Sequence, residues 1–144
     1  MGGLDLIDCL ALARPAIPIM VLIVDDHADS ADLLRRVLAR HNIAADVALV
    51  PTTALAVAKA RRPGVIVLDE HMPDLTGLQL LRRLRADPDL RATPVLFYSV
   101  DYDAEKRSQA EQLGARGWLV KGVDRLQDVV DHVLTCLPPP PPPA

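Results

Sequence analysis

Residues Ile19-Met-Val-Leu-Ile-Val24 form an unbroken apolar run that stops at two acids, Asp25 and Asp26. A strand with one wet face alternates apolar and polar residues, whereas a short continuous run belongs to a strand covered on both faces. The pattern recurs at Val65-Ile-Val-Leu68, which stops at Asp69, and at Pro94-Val-Leu-Phe-Tyr-Ser99. Proline is tolerated at the first position of such a strand. Covering both faces of a sheet requires a layer of helices on each side.

The segments between the runs supply those layers. Ala31 to Arg40 places Leu33, Leu34, Val37 and Leu38 on one helical stripe, and Thr52 to Arg62 is an alanine-rich helix stopped by Pro63 and Gly64. Thr76-Gly-Leu-Gln79 opens a third helix with a capping box, in which Thr accepts from the backbone and Gln reaches back. Asp103 to Leu113 is a polar helix ended by Gly114. Asp124-Arg-Leu-Gln127 reads as a second capping box, before a helix whose apolar face is Leu126, Val129, Val130, Val133 and Leu134. Ile43 to Leu49 and Arg116 to Val120 read as two shorter strands.

Strands alternating with helices in this way are parallel and joined by right-handed crossovers. The expected fold is therefore α/β: a three-layer, doubly wound (βα)5 sheet of flavodoxin-like order 2-1-3-4-5. Half of the 144 residues are hydrophobic and 24% are charged, which fits a globular chain and excludes wholesale disorder. Aromatics are only 3%, so the core is aliphatic. A formal net charge of −3 argues against a nucleic-acid binder, which carries a basic face.

The ends differ from the middle. Residues 1–16 read as an N-terminal extension, partly helical from Leu4 to Ala13, and residues 138–144 as a polyproline tail. Consecutive prolines fix φ and remove donors, so polyproline II is expected, serving as a spacer or frayed end ahead of a groove-docking ligand. Cys9 and Cys136 fit no metal or redox spacing and read as reduced thiols. Apolar residues 17–24 are too few to span a membrane, and Asp5 and Asp8 with no early lysine or arginine make a poor signal peptide. A cytoplasmic protein without membrane insertion is expected.

In an open parallel sheet, ligands lie beyond the carboxyl ends of the strands at the switch point between strands 1 and 3. The residues just past the strands are Asp25, Asp26, Asp69, Ser99 and Lys121. Any one of them alone reads as a cap or turn former. Together they bring three carboxylates, a hydroxyl and an ammonium to one edge. Two carboxylates about 4 Å apart repel by ~1 kcal/mol in water and ~4 kcal/mol at an effective dielectric of 20. Lys121 offers one compensating charge and a divalent ion two. Few carboxylates, waters and a phosphate oxygen make up the usual Mg²⁺ shell, so the edge reads as a Mg²⁺-dependent phosphate site.

These residues carry a resemblance. Val24-Asp25-Asp26, Val65-Ile-Val-Leu-Asp69-Glu-His-Met72-Pro73 with Gly77, Tyr98-Ser99, and Gly114-Ala-Arg-Gly-Trp118-Leu-Val-Lys121 are similar to the ordered motifs of response-regulator receiver domains. The likeness covers residues 19–135 and places a CheY-like receiver domain at 17–137. It implies that Asp69 accepts a phosphoryl group from a histidine kinase or phosphotransfer protein. Asp25, Asp26, Asp69 and the His71 backbone carbonyl hold Mg²⁺. Lys121 pairs with the phosphoryl oxygens, Ser99 hydrogen-bonds one of them, and Trp118 turns with Ser99 in the switch.

The readout is then the surface of the fourth helix, fifth strand and fifth helix, docking on a downstream protein target or on a second copy of the chain. No direct DNA binding is implied, because no output domain follows; a stand-alone regulator or phosphate shuttle is expected. His71 and Asp101 are the candidates for tuning how water reaches the acyl phosphate. His27, His41 and His132 are expected in solvated or capping roles. Lys121 is followed by Gly122 where the family commonly has a proline, which leaves the pose of Lys121 open.

Three rival readings are weaker. Asp69-Glu70-His71 resembles the start of a cobalamin-binding signature, but Asp74 stands where glycine is required. A haloacid-dehalogenase-type phosphatase needs an acid where His71 stands. A receiver-like docking module that is never phosphorylated fits less well, since every reactive position is filled.

Overall fold

The computed structural model describes residues 20–138. The elements are β1 (Val21–Val24), α1 (Ala28–Arg40), β2 (Ala45–Ala48), α2 (Pro51–Arg61), β3 (Val65–Leu68), α3 (Gly77–Ala86), β4 (Val95–Ser99), α4 (Ala104–Gln112), β5 (Gly117–Val120) and α5 (Leu126–Cys136). The strands form one five-stranded sheet in the order β2-β1-β3-β4-β5, with every pair parallel. This is the doubly wound, flavodoxin-like topology expected. The extension at 1–16 with its Leu4–Ala13 helix, Cys9, and residues 139–144 of the proline tail lie outside the described residues.

Period-two alternation sends the side chains of each strand to opposite faces, which explains why β1 and β3 are apolar throughout. Leu22, Val24, Ile66 and Leu68 join one core with Ala54 and Ala58 of α2 and Leu80, Leu81 and Leu84 of α3. Val21, Ile23, Val65 and Val67 join the other with Ala31, Leu34 and Leu38 of α1 and Val129, Val130 and Val133 of α5. Among the described residues the largest fully buried side chains are aliphatic except Phe97.

Several local expectations hold and others are corrected. Thr76 caps α3 in a reciprocal box: its side chain accepts from Gln79 N, and Gln79 Oε1 accepts from Thr76 N. The Asp124–Gln127 box is not formed. The N-cap of α5 is Arg125, whose N–H donates to Asp128 Oδ2 at 2.8 Å, while Asp124 Oδ2 accepts from Val120 N at 2.7 Å. Asp124 thus closes the end of β5 and leaves the helix to begin later. Leu33 and Leu134 are exposed, at the margins of stripes whose centres are Leu34 and Leu38 in α1 and Val130 and Val133 in α5. Strand ends are trimmed: β1 starts at Val21, β2 spans Ala45–Ala48, and β4 starts after Pro94.

Gly77 is required by close approach. A Cβ there would collide with the backbone oxygen of Asp69 and lie 2.8 Å from Phe97 Cε2. Its N–H donates to the Glu70 carbonyl at 3.0 Å, so the first turn of α3 lies directly against the end of β3.

Candidate functional site

All strands run in the same direction, so their carboxyl ends share one edge, and β1 and β3 are neighbours there. Asp25 and Asp69 are the residues immediately after these two strands, and both are almost fully buried, at 5% and 4% exposure. Asp26 is half-buried beside them. Single ligand atoms of Asp25, Asp26, His27 and Asp69 all lie within 4.8 Å of one another.

Lys121, just past β5, bridges the carboxylates. Its Nζ donates to Asp25 Oδ2 at 2.7 Å and to Asp69 Oδ2 at 3.3 Å. Burial pushes the Asp69 carboxyl above its ordinary value and Asp25 pushes the same way, while the Ser99 hydroxyl and Lys121 offset part of the rise. For Lys121, burial alone favours the neutral amine. Asp25 and Asp69 outweigh it and hold the ammonium above its usual range. Gly122 takes a left-handed φ of 83° after a trans bond, and a Cβ there meets open space. The turn that proline makes elsewhere is made here by glycine's conformational freedom.

The cluster fits a cation. Hard carboxylate oxygens are the donors such an ion takes. Asp26 Oδ1 is a buried side-chain atom without a hydrogen-bond partner. The three acids Asp25, Asp26 and Asp69 can therefore hold a metal ion. Asp69 lines a cleft of ≈ 450 Å³ together with His27, His71, Val100 and Lys121.

Ser99 is fully buried at the end of β4, and its Oγ accepts from Asp101 N at 3.3 Å. Trp118 stacks on Phe97, with ring centroids 4.4 Å apart and planes 7° from parallel. Its indole Nε1 donates to the Asp101 carbonyl at 2.6 Å. The His71 backbone N–H donates to Asp69 Oδ1 at 3.3 Å, but its ring turns to Asp101, with Nε2 2.8 Å from Oδ2. The two residues singled out separately for tuning thus form one pair. Lys106 Nζ also donates to Asp101 Oδ2, at 2.6 Å, and this bond, with the Asp103 N–H, holds the Asp101 carboxyl below its usual range.

The other histidines differ. His132 Nδ1 sits 2.8 Å from the Asp128 carbonyl. His41 is the C-cap of α1, where its backbone N–H bonds back to the helix. His27 occupies the N-cap position of α1 without a side-chain cap bond; its ring approaches the acids instead. Two further residues escaped the sequence reading. Glu70 is buried at 3% exposure and accepts from Leu78 N at 2.8 Å, and Lys106 reaches both Asp101 and Glu70. Only the adjacency of Glu70 to Asp69 marks the first in sequence, and nothing marks the second.

A five-stranded parallel sheet with buried acids bridged by a lysine at its switch point is the arrangement of an α/β domain of the receiver type. The sequence matches the response regulator receiver domain over residues 21–133, and the chain belongs to that family of two-component signalling modules. It is 35% identical over 116 residues to Protein RcaC of Microchaete diplosiphon, a match covering 78% of this chain and 18% of that protein. It is 32% identical over 105 residues to chemotaxis protein CheY-3 of Vibrio cholerae, covering 70% of this chain and 78% of that one. The solved structure of Vibrio cholerae chemotaxis protein CheY4 superposes with a TM-score of 0.76 at 28% identity, covering 85% of this chain and all of that one. Among the described residues, no helix is long and apolar enough to cross a membrane.

Proposed function

We propose that this receiver domain, residues 17–137, relays a signal by accepting a phosphoryl group on Asp69 from a histidine kinase or phosphotransfer protein. The observation that carries the reading is Lys121 Nζ bridging Asp25 and Asp69 inside the cleft at the carboxyl edge. An Asp69 oxygen attacks the phosphorus of a phosphohistidine. The P–O bond forms, the P–N bond breaks, and the leaving imidazole keeps the electron pair and takes up a proton. Mg²⁺, held by Asp25, Asp26, Asp69 and the His71 carbonyl, supplies charge neutralisation to the phosphoryl oxygens.

Lys121 transfers part of its pairing from the carboxylates to the incoming oxygens, which lowers their repulsion from Asp25. Ser99 turns its hydroxyl to one phosphoryl oxygen and leaves the Asp101 N–H, which strains the loop that also holds Trp118. The signal then reads out at the α4-β5-α5 surface, to a downstream protein partner or a second copy. The chain acts as its own phosphotransfer catalyst and not as an enzyme turning over a separate substrate, and it works in the cytoplasm without contacting DNA.

Intact-mass spectrometry after incubation with acetyl phosphate tests this. One phosphoryl group is expected on the wild type with Mg²⁺, and none without Mg²⁺ or on Asp69→Asn. Transfer that persists in Asp69→Asn overturns the assignment. No transfer from acetyl phosphate and no beryllofluoride response in Trp118 fluorescence point to a docking module instead.

A further inference from the structure

His27 stands directly after the two acids that close β1, with its side chain 65% exposed at the mouth of the cleft. Its Nδ1 lies 3.3 Å from Asp25 Oδ1, 3.2 Å from Asp26 Oδ1 and 3.9 Å from Asp69 Oδ2. Nδ1 is within hydrogen-bond distance of Asp25 Oδ1, but its approach to Asp26 Oδ1 makes no hydrogen bond, and that oxygen is left without a partner. Donor atoms around a six-coordinate ion with bonds of about 2.1 Å are separated by about 3.0 Å when adjacent and about 4.2 Å when opposite. The three distances from Nδ1 fall close to that range. The nitrogen is thus spaced from the three carboxylates as a further ligand of one ion would be.

We propose that His27 Nδ1 is a ligand of the divalent ion at the Asp25–Asp26–Asp69 cluster, and that it makes the site select first-row transition ions over Mg²⁺. The inference rests on the reading of that cluster as the receiver's cation site. Mg²⁺ prefers hard oxygen donors and gains little from imidazole. Imidazole suits Zn²⁺, Ni²⁺ and Cu²⁺, whose affinities for nitrogen sites rise along the first row. One nitrogen among three carboxylates therefore changes which ion the site prefers without changing its charge. Among the described residues ring Nε2 makes no hydrogen bond or ion pair, and the side chain is 65% exposed.

The experiment titrates the full chain by calorimetry with Mg²⁺ alone and with Ni²⁺ alone, followed by Mg²⁺ competition against bound Ni²⁺. The variants are His27→Ala, His27→Asn, which keeps a polar side chain without the imidazole, and His132→Ala as a control for nickel on surface histidines. Wild type is expected to bind both ions at one shared site. Both His27 variants should weaken Ni²⁺ by about tenfold or more, as loss of groups at a metal site does, with Mg²⁺ nearly unchanged and the control at wild-type values for both ions. With diamagnetic Zn²⁺, the ¹⁵N resonance of His27 Nδ1 should shift on binding.

Equal losses for the two ions would make His27 a positioning residue for Asp25 and overturn the ligand assignment. So would unchanged Ni²⁺ affinity or an unmoved Nδ1 resonance. Absence of Mg²⁺ binding by the wild type is a different failure: it removes the cation site itself and this inference with it.

Discussion

Replacing Asp69 with asparagine takes one negative charge out of the buried cluster while nearly keeping the side chain's volume. The charge that leaves is repelled by Asp25 and Asp26, whose ligand atoms lie no more than 4.8 Å away, and attracted by Lys121 at 3.3 Å. At an effective dielectric of 20, each repulsion is ~3.5 kcal/mol and the attraction ~5 kcal/mol. Asp25 therefore offsets most of the lysine, and repulsion from the more exposed Asp26 is left over, together with relief from burying a charge. The expected gain is about 1–3 kcal/mol in the metal-free protein. For a domain of this size that is a rise of roughly 4–12 °C in Tm.

Because burial raises the Asp69 carboxyl, the folded state binds more protons there than the unfolded chain between the ordinary and the raised value. Stability contributed by the protonated group is lost as pH rises through that window, so the cost of Asp69 is complete at neutral pH. The advantage of Asp69→Asn is then largest near pH 7 and shrinks on acidification below the raised value. Urea and thermal denaturation in chelator, at pH 7 and in the acid range, measure both. A variant less stable than wild type at pH 7, or an advantage that grows on acidification, refutes the reasoning. Saturating Mg²⁺ should narrow the gap by stabilising the wild type more.

The same geometry gives three further expectations. Lys121→Met leaves Asp25 and Asp69 facing each other without their shared cation, and should lower stability by about 2–4 kcal/mol in urea without metal; a neutral result contradicts the bridge. Gly77→Ala drives a Cβ into the Asp69 carbonyl and Phe97 and should cost about 1–3 kcal/mol, since the obstacle is backbone and a buried ring. Trp118→Phe keeps an aromatic stack on Phe97 but loses the bond to Asp101 O, at a cost of about 1 kcal/mol. Hydrogen exchange at residues 100–104 should quicken in that variant and stay unchanged elsewhere.

Much of this was legible because burial on both faces leaves so plain a trace. The runs at Val21–Val24 and Val65–Leu68 admit no polar residue, and the acids that end them mark the edge where the site lies. The Thr76–Gln79 box was readable because a cap is a local interaction with fixed spacing. The Asp124 box failed for a non-local reason: the backbone of Val120 competes for the same carboxylate. Leu33 and Leu134 were misplaced because periodicity locates the centre of a stripe better than its margins. The His71–Asp101–Lys106 contacts join two loops and a helix from different parts of the chain, and only the fold brings them together. The reach of His27 toward three carboxylates depends on β1 and β3 lying side by side, which its capping position alone does not reveal.

Glu70 holds the start of α3 twice, through its carbonyl to Gly77 N and through its carboxylate to Leu78 N. Across the cleft, Asp101 meets Ser99 Oγ with its N–H, Trp118 with its carbonyl, and His71 and Lys106 with its carboxylate. The cleft is therefore built like a vice with one fixed jaw. The jaw that carries Asp69 is bolted to a helix through both Glu70 contacts. The opposite jaw turns on a single residue, so a displacement at Ser99 reaches a strand, a helix and a loop at once. On the proposed reading, work done at the acids travels outward through β4 toward α4 and β5.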